Sequence, residues 1–396
     1  MKDRTWPDRN GFSLQPRFLL VASLLSIVLT NVASADPREQ AKRIHDRLAG
    51  VPPTETVLQQ MENAIGMNDA HAAAAIAMEN PGFYNVTLKN FAAPWTNREQ
   101  SVFVPLNDYT ATVIGMVHDD VPFNTLLSAD ILYVGAGNLG LPSYSNSNNA
   151  HYEQMEQQGV DLMTGLVQTP QSSVNGLPPA ATAGVMTTRA AAEAFFIAGT
   201  NRAMFRFTLL NHMCNDLEQV HNVRLPPDRI RQDVSRSPGG DSRLFLNNCI
   251  GCHTGMDPMA QAFAYYNFNP DTGSIEYTPG QVQPKYFNND SNFPFGFVTP
   301  DDSWENYWRS GQNRFLGWDA SLPGSGNGAK SLGEELANST AFASCQVKKV
   351  FRAVCLRSPE DEDDRLQVDQ MVSSFTSSGY RMKQTFADAA VYCMGQ

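Results

Sequence analysis

The chain has 396 residues, of which 29 are Lys or Arg and 40 are Asp or Glu, and its formal net charge is −11. This acidic balance argues against nucleic acid and anionic lipid as partners, because a negative surface is repelled by both. A chain of this length makes one large domain or two ordinary ones.

The first 35 residues have the three parts of a secretory signal peptide. A basic leader precedes an apolar run over residues 18–32, and Ala33-Ser34-Ala35 is a cleavage site of the A-x-A type. The apolar run is too short for a comfortable membrane span, and an uncleaved anchor is the alternative. We therefore expect a mature bacterial protein that begins at Asp36, is periplasmic or secreted, and has no membrane span after signal cleavage.

Apolar periodicity predicts a mainly α fold. In the amino-terminal region it predicts helices over residues 38–48, 55–65, 69–78, 102–117 and 124–129. Two polar loops, 135–149 and 168–179, lack this periodicity and favour a domain boundary near residue 180. The mature chain is thereby divided into a helical amino-terminal domain, 36–180, and a second domain, 181–396.

The second domain contains the most specific motif of the chain, Cys249-Ile-Gly-Cys252-His253. C-x-x-C-H is the attachment signature of a c-type haem, in which both thiols form thioethers and the imidazole binds the iron. Positions i, i+3 and i+4 of a helical turn share one face, so all three groups can meet one edge of a porphyrin. The alternatives are a disulfide or a zinc pair, but a zinc site needs a second Cys/His pair at short spacing and the sequence has none. We therefore expect one covalently bound haem c, with His253 as the proximal iron ligand.

The elements around this motif are also predicted to be mainly helical. Asp257-Pro258 has the form of an N-cap followed by proline, and it predicts a helix over 259–268. Residues 269–330 are rich in Pro, Gly and Asn and are predicted to form a long irregular cover. The remaining predicted helices cover 188–198, 202–213, 332–354, 361–375 and 380–392.

Four further cysteines, Cys214, Cys345, Cys355 and Cys393, are left outside the motif. In an oxidising compartment an even number suggests two disulfides, with three connectivities. The pairing of Cys345 with Cys355 is excluded because ten residues of predicted helix would hold them about 15 Å apart, beyond disulfide reach. Free buried thiols are the alternative to disulfides.

The segment 249–267 resembles the haem segment of the planctomycete-type cytochrome c family, which comprises large secreted proteins. The family pattern is C-x-x-C-H, two residues, an apolar residue, Asp-Pro and an amphipathic helix. The residues that match after the motif are Met256, Asp257, Pro258, Ala262 and Phe263. Ala260, Ala264 and Asn267 depart from the pattern, because the family usually has Gly, Glu and Asp at these positions.

The resemblance extends over residues 184–396 and is weaker over 40–135. It implies a mainly helical monohaem c-type cytochrome: a helical amino-terminal region followed by a c-type haem domain with long irregular loops. Cys249, Cys252 and His253 are the cofactor-binding residues that it implies. It also implies disulfides Cys214–Cys345 and Cys355–Cys393, because the first two residues stand where the family often has cysteine and the other two are additions to this chain.

The second axial ligand of the iron is left open by the sequence. Many small cytochromes c use a methionine some tens of residues downstream, but no Met or His occurs between Met259 and Met371. The candidates elsewhere are Met186, Met204, Met213, His212, Met371 and Met382. Each is also a typical core residue, so His/Met ligation, bis-His ligation and five-coordination are all alternatives.

These observations favour an electron-transfer protein that exchanges one electron at a time with an unidentified redox partner protein. We expect a six-coordinate, low-spin iron, because no distal His/Arg/Glu set of the peroxidase kind can be identified in the sequence. One competing hypothesis is a peroxidase- or oxygenase-like haem enzyme with an open distal position. Another is a binding or structural protein whose haem domain accompanies the region 36–180.

Overall fold

Residues 35–197, 199–235, 241–287 and 291–395 are the part of the chain described by the computed structural model. They form a mainly helical structure, which confirms the predicted fold class. The predicted signal peptide lies outside the described residues except for Ala35. Among the described helices, none is long and apolar enough to cross a membrane.

The amino-terminal region is built from short helices, and the first turns of several of them are capped by the preceding residue. These helices are α1 (Pro37–Ala49), α2 (Glu55–Gly66), α3 (Ala70–Met78), α4 (Lys89–Ala92), α5 (Asp108–His118), α6 (Ala150–Gln157) and α7 (Leu162–Gly165). The side chains of Asp36, Thr54 and Asp69 accept backbone N–H hydrogen bonds at the starts of α1, α2 and α3. Each cap satisfies a donor that the helix itself leaves unpaired.

Two helix predictions in this region differ from the structure. The helix predicted over 102–117 begins later, at Asp108, because the side chain of Asn107 caps it there. The segment predicted as a helix over 124–129 is instead a single 3-10 turn, Phe123–Thr125. Apolar periodicity does not mark where the backbone of a helix starts, and it is a weak guide to the type of element in a short apolar segment.

The rest of the chain adds nine α-helices among the described residues. They are α8 (Arg189–Phe195), α9 (Arg202–Met213), α10 (Gln232–Ser235), α11 (Ser242–Asn248), α12 (Ile250–Ala260), α13 (Gly328–Ala337), α14 (Thr340–Cys355), α15 (Glu362–Ser377) and α16 (Met382–Tyr392). Three two-stranded antiparallel sheets are described. They pair β1 (Leu132–Gly135) with β2 (Leu166–Thr169), β3 (Tyr266–Asn269) with β4 (Ser274–Tyr277), and β5 (Ser303–Glu305) with β6 (Ser325–Asn327).

The helix predicted over 259–268 is wrong. The preceding helix, α12, runs through Asp257 and Pro258 and ends at Ala260, so Asp257 is not an N-cap. The chain then forms strand β3, in which Tyr266 and Phe268 are buried and alternate with less buried neighbours. That alternation has the period of a strand. The predicted irregular cover, 269–330, also contains β4, β5 and β6.

The main hydrophobic core runs through Ala35–Gly395, which form a single compact unit. The carboxy-terminal helix α16 packs against α3 and α1, and α14 packs against α9. Asp108, at the start of α5, accepts the backbone N–H of Arg189 at 2.6 Å and of Ala190 at 3.1 Å, at the start of α8. The division at residue 180 stays a prediction, and this core crosses it.

Two disulfides bind the helices of the second half together. Cys214–Cys345 connects the end of α9 to α14, with 5.2 Å between the Cα atoms. Cys355–Cys393 connects the end of α14 to the residue that follows α16, with 5.5 Å between the Cα atoms. This is the pairing that the resemblance implied, and Cys345 and Cys355 lie on one helix as predicted.

Candidate haem-attachment site

The C-x-x-C-H segment is a helical turn at the start of α12. The carbonyl oxygen of Cys249 accepts the backbone N–H groups of Cys252 and His253, each at 3.2 Å. Positions i, i+3 and i+4 of this turn lie on one side of the helix, and the thiol of Cys252 donates to the carbonyl oxygen of Leu217 at 3.6 Å. Within the described residues, Cys249 and Cys252 are the cysteines outside a disulfide, and both are partly exposed.

The opposite face of α12 is held against its neighbours by small residues. A Cβ at Gly255 would collide with the indole of Trp308, and one at Gly251 would lie 2.7 Å from Cδ2 of His221. Between these glycines, the hydroxyl of Thr254 donates to the carbonyl of Asn222 at 2.8 Å. This close packing gives the attachment turn a rigid support.

The imidazole of His253 is oriented by a carboxylate one turn along the same helix. Nδ1 lies 3.1 and 3.0 Å from the two carboxylate oxygens of Asp257. Because Nδ1 carries the proton that is donated to Asp257, Nε2 holds the lone pair that a metal needs. A carboxylate that fixes the tautomer and the ring orientation of a histidine in this way is typical of metal-ligating histidines.

The carboxylate of Asp257 is itself held by Arg202 at the start of α9. Nε and Nη2 of Arg202 donate to the two oxygens at 2.7 and 2.8 Å, and the Asp257 side chain is only 5% exposed. Burial alone would raise the pKa of Asp257, but the charge of Arg202 and the hydrogen bonds from His253 and Arg202 outweigh it and lower the pKa to about 2. Asp257 is therefore ionised at neutral pH.

The start of α9 is tied to the chain that follows α12. Asn201 has a left-handed backbone with φ of 54°, a conformation that Asn tolerates better than most residues. Its buried side chain donates to the carbonyls of Phe263 at 2.8 Å and Tyr266 at 2.9 Å. Arg202 is thereby placed beside Asp257 by fixed backbone rather than by a mobile loop.

A cavity of about 450 Å³ opens in front of His253. This volume is in the range of cofactor and ligand pockets, roughly 300–1,000 Å³. Its lining residues are Arg202, Arg231, Asp233, Val234, Phe245, Cys249 and His253. The Phe245 ring lies 5.7 Å from the His253 ring between centroids, so the cavity has an aromatic wall next to the imidazole.

A larger cavity, about 540 Å³, lies elsewhere and is lined by residues that include Arg43, Arg47 and Phe91. Its described lining contains neither a thiol nor an imidazole. The chemistry of the C-x-x-C-H segment, and not cavity size, therefore identifies the candidate site.

The donor set at the smaller cavity fits a covalently bound haem. The free thiol of Cys249, the His253 imidazole and the Phe245 ring line this cavity, and the free thiol of Cys252 lies one helical turn from Cys249, outside the described lining. No group of three or more His, Cys, Asp or Glu side chains in the described part of the chain could hold a metal ion. Burial, followed by the charges of Glu218 and Asp216, raises the pKa of the Cys252 thiol, which keeps it protonated and slows oxidation.

The described lining of the cavity includes Cys249 and His253 but neither Cys252 nor any of the six distal-ligand candidates. Those six, all 2% exposed or less, are Met186, Met204, Met213, His212, Met371 and Met382. Nε2 of His212 is 2.6 Å from the Tyr109 hydroxyl, and Met213 lines a different cavity beside the Cys214–Cys345 disulfide. Among the described residues that line the cavity at His253, His253 is the sole histidine and none is methionine.

Sequence reasoning missed Arg202, Arg231 and Phe245 as residues of this site. They belong to other elements than α12, and no spacing relates them to the motif. The role of Asp257 could have been predicted from its spacing, because a residue four positions after a histidine lies on the same helical face. Its interpretation as an N-cap concealed that relation.

No family model, curated protein or solved structure matches the chain. Membership of the planctomycete-type cytochrome c family therefore stays a prediction that rests on the residues of segment 249–267 and its surroundings. The functional argument depends on the geometry of the site.

Proposed function

We propose that the protein is a secreted monohaem c-type cytochrome that transfers one electron at a time with a redox partner protein. The observation that carries the proposal is the state of the six cysteines. Four form disulfides, whereas Cys249 and Cys252 remain free next to a histidine whose Nδ1 is engaged by Asp257. Thioether formation requires two free thiols in this arrangement.

Each residue of the site has a defined part in this proposal. A bound haem c supplies a one-electron iron couple. Cys249 and Cys252 hold it covalently, and His253 binds the iron through Nε2. Asp257 keeps the imidazole in the required tautomer, and the Phe245 ring, 5.7 Å from the imidazole between centroids, gives the cavity an apolar wall.

The surface next to the attachment turn suits contact with a partner protein. Leu244 and Leu246 on α11 are 43% and 54% exposed, and Val223 is 60% exposed. Apolar side chains around a partly exposed attachment site are suited to a weak, short-lived redox complex. The negative net charge favours a basic partner, because complementary charge accelerates encounter.

A haem enzyme with an open distal position is the second candidate. It is favoured by the described lining of the cavity, which offers no second histidine or methionine to the iron and contains Arg202 and Arg231. A carboxylate-bound proximal histidine also suits an iron that must reach high oxidation states, because it increases the basicity of the ligand.

Optical spectra of the purified, leader-cleaved protein separate the two functions. An electron carrier with a second axial ligand would give a low-spin ferric spectrum, and a ferrous spectrum that carbon monoxide leaves unchanged. That ligand would have to come from outside the described lining of the cavity. A high-spin ferric spectrum, ready carbon monoxide binding after reduction and turnover of peroxide would contradict electron transfer and assign the enzyme. A protein without any haem absorption would contradict both functions.

A further inference from the structure

A continuous chain of hydrogen bonds joins three ionisable side chains, those of His253, Asp257 and Arg202. This chain of hydrogen bonds ends inside the protein. Asp257 uses both oxygens to accept from His253 and from Arg202. The Arg202 side chain is 22% exposed and that of Asp257 is 5% exposed, so water screens the pair weakly. An ion pair with a purely structural role would not need to contact His253, the imidazole of the attachment motif.

We propose that the Arg202–Asp257 ion pair sets the reduction potential of the iron, by fixing how much negative charge Asp257 directs onto Nδ1 of His253. This inference rests on the proposed function and names two positioning residues for it. Neither residue belongs to the C-x-x-C-H signature.

The physical reason is the change of charge on reduction. Reduction adds one electron from the redox partner to the iron and breaks no bond, so the iron loses one unit of positive charge. A carboxylate at Nδ1 makes the imidazole a stronger donor and therefore stabilises the ferric state more than the ferrous state. Arg202 opposes this effect, because its charge and its two hydrogen bonds withdraw negative charge from Asp257.

The cavity contains a second pair of opposite charges. Arg231 and Asp233 line the same cavity, and they face one another, with 3.2 Å between Nε of Arg231 and the Asp233 carboxylate. This second pair has no net charge and, unlike Asp257, no hydrogen bond to His253 in the described structure. Asp257, by contrast, contacts the imidazole directly, so changes at Arg202 and Asp257 act on the ligand itself.

The inference predicts that variants of Asp257 and of Arg202 shift the midpoint potential in opposite directions. Asp257→Asn should raise the midpoint potential, and Arg202→Gln should lower it. We expect at least a tenfold change in the ferric-to-ferrous ratio at a fixed applied potential for Asp257→Asn, which corresponds to 59 mV for one electron. Arg202→Lys, which keeps the charge, should recover most of the wild-type potential. The measurement is a spectroelectrochemical titration of the full haem-loaded protein.

The pair between Arg309 and Glu335 provides a matched control. It is also bidentate, at 2.8 and 2.6 Å, and its side chains are 24% and 1% exposed. Glu335→Gln should destabilise the protein without moving the midpoint potential by a comparable amount. A purely structural role for Arg202–Asp257 would make its variants behave like this control.

The outcomes keep this inference separate from the proposed function. Shifts of the same sign, or no shift, in variants that retain haem would overturn the inference and leave the cytochrome assignment intact. Absence of haem from the wild-type protein would overturn the proposed function instead. If Asp257→Asn does not fold, the sign of the shift in Arg202→Gln decides the question alone, and an increase contradicts the inference.

Discussion

Replacing both Cys249 and Cys252 with alanine is expected to abolish covalent haem attachment. These are the thiols outside the two disulfides within the described structure, so no other cysteine can substitute for them. His253 would remain, but a single coordinate bond does not survive denaturation. Haem should therefore be extracted completely by acidified acetone from the double variant and retained by the wild-type protein.

The single variants test the same claim more finely. Cys249→Ala and Cys252→Ala each leave one thioether, so a reduced yield of attached haem is expected from either. The matched control is Cys355→Ala with Cys393→Ala, which removes a disulfide far along the chain from the motif and should leave attachment unchanged. Covalent haem in the double variant of Cys249 and Cys252 would contradict the assignment of these residues.

Removal of the Cys214–Cys345 disulfide is expected to produce the largest loss of stability. Its two residues are separated by 131 positions in the sequence, against 38 for Cys355–Cys393. Because a crosslink restricts the unfolded chain more when it closes a longer loop, the chain-entropy relation gives a loss of about 5 kcal/mol for the first bridge and about 4 kcal/mol for the second. Such losses are a large fraction of the stability of a domain.

The test is urea unfolding of Cys214→Ala with Cys345→Ala, compared with Cys355→Ala with Cys393→Ala. Free energies from linear extrapolation should fall in the order wild type, Cys355–Cys393 variant, Cys214–Cys345 variant. Peptide mapping without reduction checks the pairing itself. A peptide that joins Cys214 to Cys393, or a Cys214–Cys345 variant as stable as wild type, would contradict the structure.

Helix α9 shows what the sequence predicts well. Its predicted range, 202–213, coincides with the observed Arg202–Met213, because a long apolar-periodic segment between polar loops has few other ways to bury its face. The segment after the motif shows the opposite case. Asp257-Pro258 has a good local N-cap pattern, but the tertiary contact with Arg202 and the bond to His253 use the carboxylate differently.

The sequence alone predicts the site residues that are close together in the chain, but not those that come from other elements. Cys249, Cys252 and His253 follow from one pentapeptide, since one helical turn brings them together. Arg202 and Phe245 come from other helices, and only the fold places them there. The sequence could not identify a distal ligand, because a buried methionine in a core and a methionine ligand have the same local sequence pattern.

The most direct test of the central claim is the intact mass of the exported protein under denaturing, non-reducing conditions. The protein should be produced with its leader in a bacterium that matures c-type cytochromes. The account predicts a chain that begins at Asp36, carries two disulfides and has gained the mass of one haem. A mass equal to that of the polypeptide alone, with Cys249 and Cys252 free or joined to each other, would contradict it.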